Sequence, residues 1–123
     1  TKAVSLTARD VRNLQLAKAA VVGGIRVLLE QRGVTADDIA SVELAGGFGN
    51  YLSPENVVRI GMLPRACLSK IRPLGNTALA GASMLALDGE NWRKLAEIPE
   101  KCRYLELSGR DDFSRAFTDS LTF

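Results

Sequence analysis

Val42-Glu43-Leu44-Ala45-Gly46-Gly47-Phe48-Gly49-Asn50-Tyr51-Leu52 is a short apolar strand that runs into three glycines within four residues. Glycine at that density lets the backbone turn sharply and come close to another group. The segment Ser53-Pro54-Glu55 that follows announces a helix. A strand, a glycine turn and a helix in that order form the place where α/β proteins seat a ligand, at the carboxyl end of the sheet. The plainer reading is a tight turn without a ligand, and this segment alone leaves both open.

Outward from that turn the chain alternates helix and strand. Thr7 with Asp10 three residues on resembles a helix start, and Gly33 supplies a stop, so residues 8 to 32 are expected to form one long helix. Its apolar stripe reads Val11, Leu14, Val21, Ile25 and Leu28. Gly23 and Gly24 inside it each cost about 1 kcal/mol relative to alanine, which implies a close packing partner. Thr35, Asp37 and Asp38 begin a short turn before the strand Val42 to Ala45. Pro54 opens a helix over 54 to 61, and Pro64 opens a loop. Leu68 to Leu74 reads as a second strand. Gly75-Asn76-Thr77 turns into a small-residue helix over Ala78 to Leu87, and a further helix covers 91 to 101, with Pro99 as its weak point. Tyr104 to Leu107 reads as a third strand. Phe113, Phe117 and Leu121 then form an apolar helical face that should dock on the core. Parallel strands joined by crossover helices are expected, and an α/β fold. Three strands make a thin sheet with too little cover, so residues 1–123 are read as a single C-terminal subdomain of a larger unit.

Composition excludes several chemistries. With 16 Lys and Arg against 14 Asp and Glu, there is no electrostatic case for nucleic acid. The longest apolar stretch, Leu14 to Leu29, is broken by Lys18 and Arg26, and neither a membrane span nor a signal peptide is read. The chain has two cysteines and no histidine, so it offers neither the four thiolates of an iron-sulfur cluster nor a histidine triad. Cys67 and Cys102 read as small core residues in a reducing cytoplasm. The turn breaks the GxGxxG fingerprint at Leu52, and no P-loop lysine follows any glycine loop. The pairs Asp37-Asp38 and Asp111-Asp112 sit at helix starts, where capping explains them.

The helix bearing Gln15-Leu16-Ala17-Lys18, the strand ending Leu44-Ala45-Gly46-Gly47 and the turn and helix ending Gly81-Ala82 resemble the last part of the ATPase domain shared by sugar kinases, actin and the 70-kDa chaperones, a ribonuclease H-like fold. In that superfamily a polar residue and a lysine on the helix face ribose and base, and the Gly-Gly turn lies against the nucleoside. Asp10-Val11-Arg12, Gln15 to Ala20, Leu44 to Tyr51, Ile60 to Pro64, Gly75 to Ala82 and Tyr104 to Ser108 together resemble one branch, the reductive activators of corrinoid proteins. Full-length members carry a [2Fe-2S] ferredoxin domain and couple ATP to reduction of cob(II)alamin to cob(I)alamin in a methyl-transfer partner.

The resemblance implies nucleotide contacts at Gln15, Lys18, Gly46, Gly47, Phe48, Gly49, Asn50, Gly75 and Asn76, with no catalytic or metal-binding residue in this chain. It implies ATP with Mg²⁺, a corrinoid protein as partner and a homodimer. The cluster cysteines and the two aspartate-glycine phosphate loops precede this region in the family, so only the nucleoside half of the site is expected here, and the fragment alone is expected to be inactive. On the residues alone, Lys18 also fits a lysine snorkelling from the helix, and Asn50, Tyr51 and Asn76 also fit caps. The alternatives are a non-catalytic interaction module and a fragment of a small-molecule kinase.

Overall fold

The computed structural model describes residues 4–49 and 51–123, with Phe48 described for its backbone only. Helix α1 spans Ala8–Arg32. A capping box starts it: Thr7 Oγ1 accepts from the Asp10 N–H, and the Asp10 carboxylate accepts from the Thr7 N–H at 2.8 Å and the Thr7 hydroxyl at 2.7 Å. Those bonds hold the Asp10 carboxyl below its ordinary range. Gly33, at φ 64°, ends the helix as a left-handed cap.

The buried face of α1 differs from the expected stripe. Val11, Leu14, Val21 and Leu28 are exposed, while Ala19, Gly23 and Val27 are buried. Steps of four place those three on one face, and helix α6, Asp111–Asp119, packs along α1. A Cβ at Gly23 would lie 3.1 Å from the Phe113 ring and 3.3 Å from the Phe117 backbone nitrogen. Glycine here therefore admits the aromatic pair Phe113–Phe117, whose ring centroids are 6.1 Å apart. Gly24 is looser, with Leu107 3.5 Å from a built Cβ. The close partner expected at these glycines is thus the C-terminal helix.

Strand β1, Val42–Ala45, pairs in parallel with β2, Ile71–Gly75, and the pairs run Val42 with Ile71, Glu43 with Arg72, Leu44 with Pro73 and Ala45 with Gly75. Leu74 is passed over, at an irregularity that follows the proline. Between the strands lie α2, Gly46–Gly49, and α3, Pro54–Arg59, the latter capped by Ser53 and carrying Pro54 in its first turn. Residues Arg65–Lys70 form a 3₁₀ turn after Pro64 in which Cys67 is buried, so residues 68–70, expected to begin the second strand, lie outside it. After β2 come α4, Thr77–Leu87, and α5, Glu90–Lys101, which contains Pro99 near its end.

Three expectations need correction. Tyr104 to Leu107 is not a strand, and the sheet among the described residues has two strands. Glu106 instead accepts from the Tyr104 hydroxyl and the Ser108 N–H, a local pattern that competes with sheet pairing. Cys102 is exposed at the end of α5, beyond the core that holds Cys67. Pro99 does not break α5, because it sits in the last turn, where few backbone bonds remain to be lost. Among the described residues no helix is long and apolar enough to cross a membrane.

Candidate functional site

Parallel pairing brings the carboxyl ends of β1 and β2 side by side, with Ala45 opposite Gly75. The turn Gly46–Gly49 that follows β1 and Gly75–Asn76 at the end of β2 therefore share one end of the sheet, the end where α/β folds bind ligands. The glycine run is a single helical turn rather than an open loop. Its glycines serve different ends. Gly46 has φ 91° and Gly75 φ 69°, backbone conformations that L side chains rarely adopt. A Cβ at Gly49 would meet the Leu44 carbonyl carbon at 3.1 Å, so glycine there lets the turn fold back on its own strand. Gly47 has neither constraint: its φ is not in the left-handed region, and among the described residues nothing lies within 4 Å of a built Cβ. Among the described residues nothing lies within 4 Å of a built Cβ at Gly46, Gly47 or Gly75, and Gly47 is exposed. No described residue accounts for glycine at 47.

Asn76 caps α4, accepting from the Leu79 N–H at 3.0 Å, and its own exposed amide nitrogen stays at the sheet end. Tyr51 is exposed. Asn50 and the Phe48 side chain, both expected at the site, lie outside the described residues.

Gln15 and Lys18 stand one turn apart on α1. Gln15 is half-buried, and Lys18 is 3 % exposed. The Lys18 ammonium donates to the Thr122 carbonyl and lies 5.2 Å from the centre of the Phe123 ring. It lines a cavity with Arg26, Arg59, Gly61 and the C-terminal segment, and the glycine turn is not among the walls. Sequence reasoning missed this setting because Lys18 and Thr122 are 104 positions apart, with no local pattern joining them.

The described residues contain no group of three or more His, Cys, Asp or Glu arranged to hold a metal ion. Cys67 is buried with its thiol 3.9 Å from the Ala36 carbonyl, and Cys102 is exposed. Two thiols cannot supply a [2Fe-2S] cluster, which takes four ligands. The carboxylates expected at helix starts hold that position. Asp38 caps the turn at Thr35, and the backbone and hydroxyl of Thr35 hold its carboxyl low. Asp112 forms two bonds with Arg110, at 2.9 and 2.6 Å, which lower its pKa.

Comparison with known proteins adds three findings. Residues 1–123 match the family model described as the C-terminal domain of RACo, the ASKHA domain. The chain is 34% identical over 122 residues to a corrinoid activation enzyme, RamQ, of Eubacterium limosum, which covers 99% of the chain and 21% of that protein. A solved structure described as a reductive activator for corrinoid, iron-sulfur protein superposes with a TM-score of 0.86 at 35% identity, over 94% of this chain and 18% of that one. The chain thus spans about a fifth of the length of the relatives it matches.

Proposed function

This chain belongs to the family of C-terminal ASKHA domains of RACo, and from that premise we propose that it supplies the nucleoside side of an ATP site in a reductive activator of corrinoid proteins. The observation that carries the reading is the junction of the two strand ends. Ala45, just before Gly46 and Gly47, pairs with Gly75, just before Asn76, and no described residue lies within 4 Å of a built Cβ at Gly46, Gly47 or Gly75. A purine and its ribose need a surface of that kind, flat and close to peptide groups, with a side-chain amide at its edge. The surface at the strand ends suits a nucleoside. It does not fit Mg²⁺, for which the described residues offer no cluster of ligands, so the metal is assigned to residues outside this chain.

ATP bound in the whole protein would supply the driving force, and electrons would come from a [2Fe-2S] domain that this chain does not contain. A corrinoid protein is the proposed electron acceptor, its cob(II)alamin reduced to cob(I)alamin. The chain's own task is to bind and orient the nucleoside. The assignment of Gln15 and Lys18 to ribose and base rests on the resemblance, whereas the seat proposed here rests on the strand ends. Large apolar side chains exposed on α4 and α5, among them Leu79, Leu87 and Trp92, fit a subdomain that packs against the rest of a larger domain.

Titration of the ¹⁵N-labelled chain with adenosine tests this reading. The expected result is saturable shifts centred on Gly46, Gly47, Gly75 and Asn76. Shifts confined to other surfaces would overturn it.

A further inference from the structure

A cavity of about 300 Å³ is walled by Lys18 and Arg26 from α1, Arg59 at the end of α3, and Asp119, Ser120, Thr122 and Phe123. None of the ion pairs among the described residues includes Lys18, Arg26 or Arg59. Asp119 is the one carboxylate side chain in its wall, against three cations. Lys18 is the unusual member. Its residue is almost wholly buried, yet its ammonium has a single hydrogen-bond acceptor among the described residues, the Thr122 carbonyl. A lysine ammonium has three hydrogens to give, and a buried charge without a counter-ion is costly. Lys18 lines this cavity together with two exposed guanidinium-bearing side chains, Arg59 from a separate helix and Arg26 from the next turns of α1.

We propose that this cavity binds a phosphate group. Phosphate brings several acceptor oxygens and a charge that offsets the excess in the wall, and guanidinium groups bind it through paired N–H bonds. At about 300 Å³ the cavity is at the small end of ligand pockets, which suits a phosphate rather than a whole nucleotide. The phosphate is either free or the end of a nucleotide whose base lies outside the cavity. The site does not depend on the nucleoside seat at the strand ends.

The test is a titration of the 123-residue chain with inorganic phosphate at low ionic strength, where charge interactions are least screened, followed by amide shifts and with sodium chloride of equal ionic strength as the reference. Saturable shifts in α1 and α3 are expected. Lys18→Met and Arg59→Gln should each weaken binding at least tenfold, and Arg72→Gln, on the exposed face of β2, should leave it within twofold. A linear response that chloride reproduces, or an equal loss in Arg72→Gln, would overturn the proposal. Arg59 is exposed, so Arg59→Gln decides the matter even where Lys18→Met does not fold. Displacement of bound phosphate by ATP but not by adenosine identifies a nucleotide phosphate as the ligand, and retention in the presence of ATP identifies free phosphate. Adenosine shifts at Gly47 without phosphate binding here would refute this inference and leave the nucleoside seat standing.

Discussion

Alanine substituted separately at Gly23 and Gly24 should change stability in opposite directions, although the two residues are neighbours in one helix. Each substitution gains about 1 kcal/mol of helix propensity. At Gly24 the new methyl meets Leu107 at 3.5 Å, an ordinary contact, so the gain stands. At Gly23 it meets the Phe113 ring at 3.1 Å and the Phe117 backbone nitrogen at 3.3 Å. The ring can turn a little, but the backbone of α6 moves only with the helix. Overpacking of that kind costs about 1–3 kcal/mol. The net expectation is about 1 kcal/mol of stabilisation for Gly24→Ala and a loss of about 0–2 kcal/mol for Gly23→Ala, a spread of about 1–3 kcal/mol. Urea unfolding followed by circular dichroism measures it, provided the slope is common to all three proteins. Equal stabilisation by both substitutions would refute the close seating of α6 on α1.

Two further outcomes follow from named contacts. Lys18→Met, which keeps the stem of the side chain, should leave adenosine affinity within twofold, since the ammonium faces Thr122 and the phosphate cavity; a tenfold loss would place it on the nucleoside instead. The carboxyl of Asp112 is held low chiefly by Arg110, so its stabilising contribution is present above the ordinary aspartate value of 3.8 and is lost as pH falls below it. Thermal melts at pH 6 and pH 3 should therefore differ less in Asp112→Asn than in the parent chain, and an identical pH dependence would remove the pair from the account.

The elements legible in the sequence were those with local signals. Thr7 and Asp10 at one end and Gly33 at the other delimit α1 to the residue, and Pro54 and Asn76 open α3 and α4 as read. What was not legible depends on partners far along the chain. The true buried face of α1 is marked by Ala19 and Gly23, whose small side chains carry almost no hydrophobic signal, and it exists because Phe113 and Phe117 arrive from the other end. Tyr104 to Leu107 has the composition of a strand, but Glu106 ties the segment to its own neighbours. At the site, the glycine turn was visible as composition, whereas its neighbour at Gly75 and Asn76 follows from register, which only the pairing of β1 with β2 reveals. Lys18 stood out as a charge within an apolar helix. Its companions Arg26, Arg59 and Thr122 did not, since they converge only in three dimensions.

The central claim, that a nucleoside lies against the glycine turn, is tested most directly at Gly47. Among the described residues, Gly47 has no atom within 4 Å of a built Cβ and its φ lies outside the left-handed region, so Gly47→Val places its side chain in the space assigned to the ligand. ATP affinity of the intact protein, measured by calorimetry with and without that substitution, should fall at least tenfold while the melting temperature stays close to that of the parent. An affinity within twofold of the parent, in a variant that melts normally, would contradict the account.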